Sequence, residues 1–183
     1  MTSSDFKLFL QYYNSVYNHA EYIGCTSGLS ADHLAMLGYI QVDNSIAKFV
    51  SFEMFHNAYK STESSIKNNR GSFVLAFSSK NGSLSPAQIQ YFFRHEVAVM
   101  NNQDEFVTVK HTFAMVKWFK PPHLELSSFH IAAEYIELCS SEFEEQSVMS
   151  IIPMHYIHSP IAIKLNYIDN MHAFVKMPEQ LII

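Results

Sequence analysis

The stretch FVTVKHTFAMVKWFKPP, residues 106–122, constrains the fold more than any other part of the chain. Val107, Val109, Phe113, Val116, Trp118 and Phe119 are β-branched or aromatic, the types that suit a pleated, half-buried surface. Pro121 and Pro122 end the run, because neither can donate a hydrogen bond to a neighbouring strand. The stretch reads as a long central strand. Its even-numbered residues Ala114, Val116 and Trp118 are expected to face the core, since Lys117 interrupts the odd-numbered set.

Such a strand needs partners, and the rest of the chain supplies them. Residues 46–55 crowd Ile46, Phe49, Val50, Phe52, Met54 and Phe55 without a helix-length polar face, which reads as a strand. Residues 60–71, KSTESSIKNNRG, read as an exposed loop. A short strand at 73–78 follows, and Asn81-Gly82 is the clearest turn signal in the chain. Residues 87–99 put Ala87, Ile89, Tyr91 and Phe93 on one strand face. AEYIELCSSEF, MSIIPMHYIHSPIAIKL and MHAFVKM are three further apolar segments, giving roughly seven strands at the spacing of a barrel or sandwich.

Before these strands the period is helical. Ser3 or Ser4 is expected to cap a helix from Asp5 to about Asn18, with Phe6, Phe9, Leu10, Tyr13, Val16 and Tyr17 forming its apolar stripe. Ser30 is expected to cap a short helix carrying Leu34, Met36 and Leu37, which Gly38 ends. The expected fold class is therefore mainly β with N-terminal helices, α+β. A helical extension over residues 1–45 is expected to pack on a β-barrel or sandwich domain over residues 46–183.

A length of 183 residues fits one domain with a real core. Fifteen Phe, ten Tyr and one Trp against only 16% charged residues exclude a disordered chain. The net charge of -5 argues against a nonspecific nucleic-acid binder. Cys25 and Cys139 form no CxxC pair and no disulfide framework, so a reducing, intracellular setting is expected. The first residues do not read as an export leader, and no apolar run is long enough to span a membrane as a helix.

No spacing assigns catalysis. His155 and His158, three apart on a strand, would face opposite ways, and His95, His111 and His130 are not grouped, so no metal site is assigned. With five glycines there is little material for a phosphate loop, and no nucleophile elbow or Cys-His pairing occurs, so no catalytic residue and no cofactor are expected. A metal-dependent hydrolase built from dispersed histidines remains the third alternative. The second is a nucleic-acid-binding accessory domain, with Lys60, Lys67, Arg70 and Lys80 as its phosphate contacts. Glu142, Glu144 and Glu145 read as a solvated turn. Trp118 reads as core in preference to part of an aromatic cage for a methylated ammonium.

Four pieces in order, PAQIQYFFRHEV, HTFAMVKWFKPP, IELCSSEF and IIPMHYIHSPIAI, resemble the C-terminal segment of uncharacterised, repeated proteins associated with mobile elements in early-diverging fungi. Their layout is also similar to the bromo-adjacent homology, or BAH, domain. There a strand ending in an aromatic-Pro turn precedes a Glu-bearing strand closing on Ser and a Pro-x-x-x-Ile strand, matched here by residues 116–121, 137–141 and 153–157. The likeness spans about residues 47–177. It implies a non-enzymatic β-barrel interaction module of a mobile-element-encoded protein, intracellular and nuclear, whose partner is a histone, a nucleosome or another chromatin protein. The implied partner-binding residues are Tyr91, Phe93, Trp118, Lys120, Glu137 and Ser141. One departure stands out. Where methyl-lysine readers of this kind often add a second aromatic two positions beyond the Trp, this chain has Lys120, a cation that would repel the ligand.

Overall fold

The computed structural model describes residues 1–18, 20–25, 30–64, 71–78, 82–101, 105–122, 136–168 and 170–177. They form two compact units. The first joins Met1–Lys48 to Phe93–Phe113, and the second joins Phe49–Phe92 to Ala114–Ile183. Two long strands therefore contribute residues to both.

In the first unit, α1 covers Ser3–Val16, two residues earlier than the sequence reading, because Thr2 and not Ser3 or Ser4 is the cap. Its hydroxyl accepts the Asp5 N–H at 3.1 Å, satisfying one of the orphan donors of the first turn. Phe9 and Tyr13 are the fully buried residues of the expected stripe, whereas Val16 is exposed. Strands β1 (Glu21–Gly24) and β2 (Tyr39–Val42) pair in parallel across α2 (Ala31–Met36), which Ser30 caps as expected through its contact with the His33 N–H. Asn14 ties α1 to β1 by bonding both the N–H and the C=O of Tyr22, at 2.7 and 2.8 Å. Gly24 packs closely there: a Cβ would stand 3.1 Å from the Phe6 ring, which would have to give way by a few tenths of an ångström. Of the three apolar residues expected on α2, Leu34 is buried but Met36 and Leu37 are exposed.

The second unit is built on a curled antiparallel sheet, a half-barrel. After β3 (Ala47–Phe49) come β4 (Ser51–Met54), β5 (Asn57–Lys60), β6 (Phe73–Phe77), β7 (Leu84–Met100), β8 (Phe106–Trp118), β9 (Glu137–Ser140), β10 (Ile151–Pro153), β11 (Ile157–Ile168) and β12 (Met171–Lys176). The sheet order is β10-β8-β7-β6-β11-β12-β9, with β3 also paired to β7. The β-rich architecture expected from the sequence is thus the one adopted, but β8, expected to be central, lies one strand in from an edge between β10 and β7, and β6 takes the middle of the sheet. At one end the chain leaving β9 bonds to the end of β8. An antiparallel bridge joins Phe119 to Phe143, the Lys120 N–H donates to Glu142 O, the Glu144 N–H to Trp118 O and the Ser140 N–H to Lys120 O.

Both faces of this sheet are covered. Val74 and Ala76 of β6 join Ala87, Ile89, Phe92, Ala114, Val116, Trp118, Ile152 and Ile157 in one core, while Phe73 and Leu75 join Phe119, Cys139, Ile161 and Phe174 in another. Ala114, Val116 and Trp118 therefore face a core as expected, yet Phe113 just before them and Met115 between them are buried too. Strands buried on both faces read as continuous apolar runs, which is the form of FVLAF in β6. Each fully buried aromatic removes enough apolar surface from water to stabilise the fold by about 1.5–3 kcal/mol.

The strand expected over residues 46–55 is broken at Val50 into β3 and β4. β4 and β5 form a two-residue hairpin whose central residues Phe55 and His56 both have positive φ, 49° and 61°. That turn normally takes Asn-Gly, and Phe55 is 79% exposed in a backbone conformation that bulky residues rarely adopt. Phe55→Asn with His56→Gly is expected to raise stability by about 1–2 kcal/mol, read as an upward shift of the urea midpoint at unchanged m. An unchanged or lower midpoint would mean that the turn is not strained.

Candidate functional site

Where β8 ends, its departing chain Trp118 to Pro122 and the start of β9 wall a cleft of about 340 Å³. Ser78, Ser83, Ser85 and Pro86, at the ends of β6 and β7, form another wall, with Met149 and Phe174 completing the apolar lining. The geometry follows from pairing. Pro121 and Pro122 cannot extend the ladder that joins β8 to the segment after β9, so the two chains part and leave a gap.

Trp118 is held as a structural residue in this wall. It is 6% exposed, and its indole N–H donates to the Met149 carbonyl at 2.8 Å. The Lys120 ammonium meets the Glu142 carboxylate at 2.5 Å. That hydrogen bond and charge, followed by the charges of Glu145 and Glu144, hold the ammonium above the usual lysine range. Both partners are exposed, so the pair adds little to stability. Glu137 and Glu144 also line the cleft and are exposed. Cys139 lines it as well, and burial pushes its thiol up to about 12, so it stays protonated at neutral pH and is a poor nucleophile.

Of the residues expected to meet a partner, Trp118, Lys120 and Glu137 come together in this cleft. Ser141 stands beside it, its N–H donating to Asn170 O at 2.8 Å. Tyr91 and Phe93 are buried on β7 and do not line it; Phe93 packs in the first unit against the rings of Phe9 and Phe113. Lys60 is half-buried on β5, its N–H bonded to Gly71 O, while Lys67, Arg70 and Lys80 lie outside the described residues. Glu142, Glu144 and Glu145 are exposed, as a solvated turn has them, while the backbone of Glu142 and Glu144 is bonded to the end of β8. His155 lies on a 3-10 turn and His158 on β11, the one against the Tyr156 ring and the other against Phe77. His130 lies outside the described residues, and among those described no three His, Cys, Asp or Glu side chains gather as a metal site.

One polar cluster in the first unit could not be read from spacing. His95 Nε2 lies 3.0 Å from the Asp43 carbonyl, which can only accept, so this nitrogen carries the proton and Nδ1 accepts from the Tyr13 hydroxyl at 3.0 Å. Tyr17 and His111 make a second such pair at 2.8 Å. Burial lowers both imidazoles below the ordinary histidine range and raises the Tyr13 hydroxyl above its own. Both rings are engaged in holding the aromatic core together. No described helix is long and apolar enough to cross a membrane. Set against protein families, curated proteins and solved structures, the chain matches none of them.

Proposed function

We propose that the protein is a non-enzymatic interaction module that engages another protein through the cleft at the end of β8. The observation that carries this reading is the chemistry of the lining. Aromatic, proline and serine walls with exposed carboxylates suit recognition, while the thiol among them is held protonated. The BAH-like layout of residues 116–121, 137–141 and 153–157 makes a histone tail the first partner to test. Such a partner implies a nuclear protein, and the likeness to mobile-element-associated chains sets it in that context. The buried, hydrogen-bonded Trp118 and the cation at Lys120 argue for reading the tail's backbone and charge over trapping a methylated ammonium.

The test is a backbone-amide NMR titration of the labelled protein with unmodified and methylated H3 and H4 tail peptides. Saturable shifts confined to residues 118–122 and 137–144 are expected, with unmodified and methylated forms binding within about threefold of one another, a difference under about 1 kcal/mol. No shift at about 1 mM peptide, an affinity weaker than about -4 kcal/mol, removes histone tails. If duplex DNA then bound with a steep inverse dependence on salt, the nucleic-acid reading would replace this one.

A further inference from the structure

We infer that the cleft receives its partner as an added β-strand along the open edge of β9 at Leu138, and that the added segment carries a lysine or arginine. This rests on the interaction role proposed for the same cleft.

The edge is identified by the alternation of the ladder. β9 pairs with β12 so that Leu138 stands opposite Ala173, Cys139 opposite His172 and Ser140 opposite Met171, and at the next pair, two beyond Cys139, the Ser141 N–H donates to Asn170 O. In an antiparallel ladder, bonded and non-bonded pairs alternate, so Ser141, Cys139 and Glu137 turn their backbone groups towards β12. Ser140 and Leu138 turn theirs to the other edge. Ser140 does so visibly, its N–H meeting the Lys120 carbonyl at 3.0 Å. At Leu138 that pairing has ended, because the chain beyond Lys120 is Pro121-Pro122 and has no N–H to give. Among the described residues, no hydrogen bond reaches Leu138 on this edge. Leu138 is half-buried and lines the cleft with both prolines. A strand edge that opens into a cleft is the template on which extended segments add, their backbone supplying the affinity.

Charge selects the segment. Glu137 and Glu144 face the cleft against one cation, Lys120, and a third carboxylate, Glu142, already engages that cation. Three carboxylates thus stand near a single ammonium, which leaves the described lining with a net negative charge. A basic side chain on the added strand balances that charge, whereas an acidic or phosphorylated segment meets repulsion.

The probe is an eight-residue peptide alternating Arg with Val and Thr, alongside its Glu-for-Arg counterpart and a version N-methylated on alternate residues. Amide exchange at Leu138 is followed by NMR on the full chain. The basic peptide is expected to bind and slow Leu138 exchange at least tenfold, and the Glu and N-methylated forms to bind at least tenfold more weakly. Leu138→Pro, which removes that N–H, should weaken basic-peptide binding at least tenfold, read from the amide shifts of Phe119, Lys120 and Cys139, without unfolding the sheet, since the lost N–H points away from β12. Glu137→Gln with Glu144→Gln, both at exposed positions, should weaken basic-peptide binding and flatten its salt dependence. Binding in the cleft with Leu138 exchange unchanged, or equal binding of the N-methylated peptide, overturns strand addition and leaves the interaction role standing. If these peptides and the histone tails all fail to shift any cleft resonance, both readings fall together.

Discussion

Trp118→Ala is expected to cost about 3–5 kcal/mol of stability, enough to leave a chain of this size marginally folded. The indole is 6% exposed and belongs to the core formed by Val116, Ile152, Met154 and Ile157. Truncation removes its apolar area, opens a cavity that strands buried on both faces cannot easily close, and removes the hydrogen bond that its N–H gives the Met149 carbonyl at 2.8 Å. Trp118→Phe keeps most of the ring and loses only the donor, so about 1–3 kcal/mol is expected. Urea midpoints at constant m separate the two. If the Ala variant stays within about 1 kcal/mol of the parent, the indole is not structural, and a ligand-binding role for it becomes the better reading. The result bears directly on function: loss of partner binding in Trp118→Ala reports a contact only where the variant is shown to be folded.

The long strand β8 was legible because its pattern and its ending agree, whereas its place next to the sheet edge depends on long-range pairing that no local pattern encodes. β-branched and aromatic residues run up to two prolines, and β8 spans Phe106–Trp118. Legibility failed where one local signal had two readings. Thr2, Ser3 and Ser4 are all good caps, and the choice of Thr2 is decided by which hydroxyl reaches the Asp5 N–H. The run at residues 46–55 carries no Gly or Pro to announce its break at Val50. The parallel pair β1 and β2 is four residues per strand, too short for any period to emerge. Residues 149–165 read as one apolar segment, yet 3-10 turns at Val148–Ser150 and Met154–Tyr156 leave β10 between them and start β11 at Ile157. A 3-10 turn has no apolar period of its own to announce it.

The cleft was half legible. Trp118, Lys120 and Glu137 followed from the resemblance, and the prolines that open the gap are plain in the sequence. Pro86, Met149 and Phe174 were not, since long-range pairing brings them there and no local spacing encodes it. Tyr91 and Phe93 show the converse. Alternation put them on one face with Ala87 and Ile89; both are buried, but the core that holds Ala87 and Ile89 contains neither, and their place further along β7 keeps them from lining the cleft. Phe92, also fully buried, breaks that alternation by sharing a core with Ile89 three residues away.

The stability of the protein should fall as pH drops from about 6.5, and His95 should be the main cause. The ring is buried in the first unit against Phe9 and Tyr13, and burial, the largest influence, lowers its pKa. The Asp43 carbonyl, the Asp43 charge and Glu96 act in the opposite direction without prevailing. Hydrogen bonding alone would tolerate the cation, because the Tyr13 hydroxyl can turn a lone pair towards a protonated Nδ1; desolvation is what opposes it. The sign follows. In the unfolded chain the imidazole titrates near 6.5, while in the folded chain it does so lower. Between the two values the unfolded state binds more protons, so stability is complete above about 6.5, declines as pH falls, and levels off below the folded value. His111, lowered by burial and then by His95, and His172, lowered by burial against a Met171 backbone bond, act in the same direction. Glu96, held low by Lys110, contributes only in the more acid carboxylate range. Urea midpoints at pH 7.5 and 5.5 measure the effect. His95→Leu is expected to lose about 1–3 kcal/mol for each of the two groups it strands, the Tyr13 hydroxyl and the Asp43 carbonyl, and to show a shallower decline with pH than the parent. A variant that declines as steeply as the parent would move the acid sensitivity away from His95, leaving His111 and His172 to account for it.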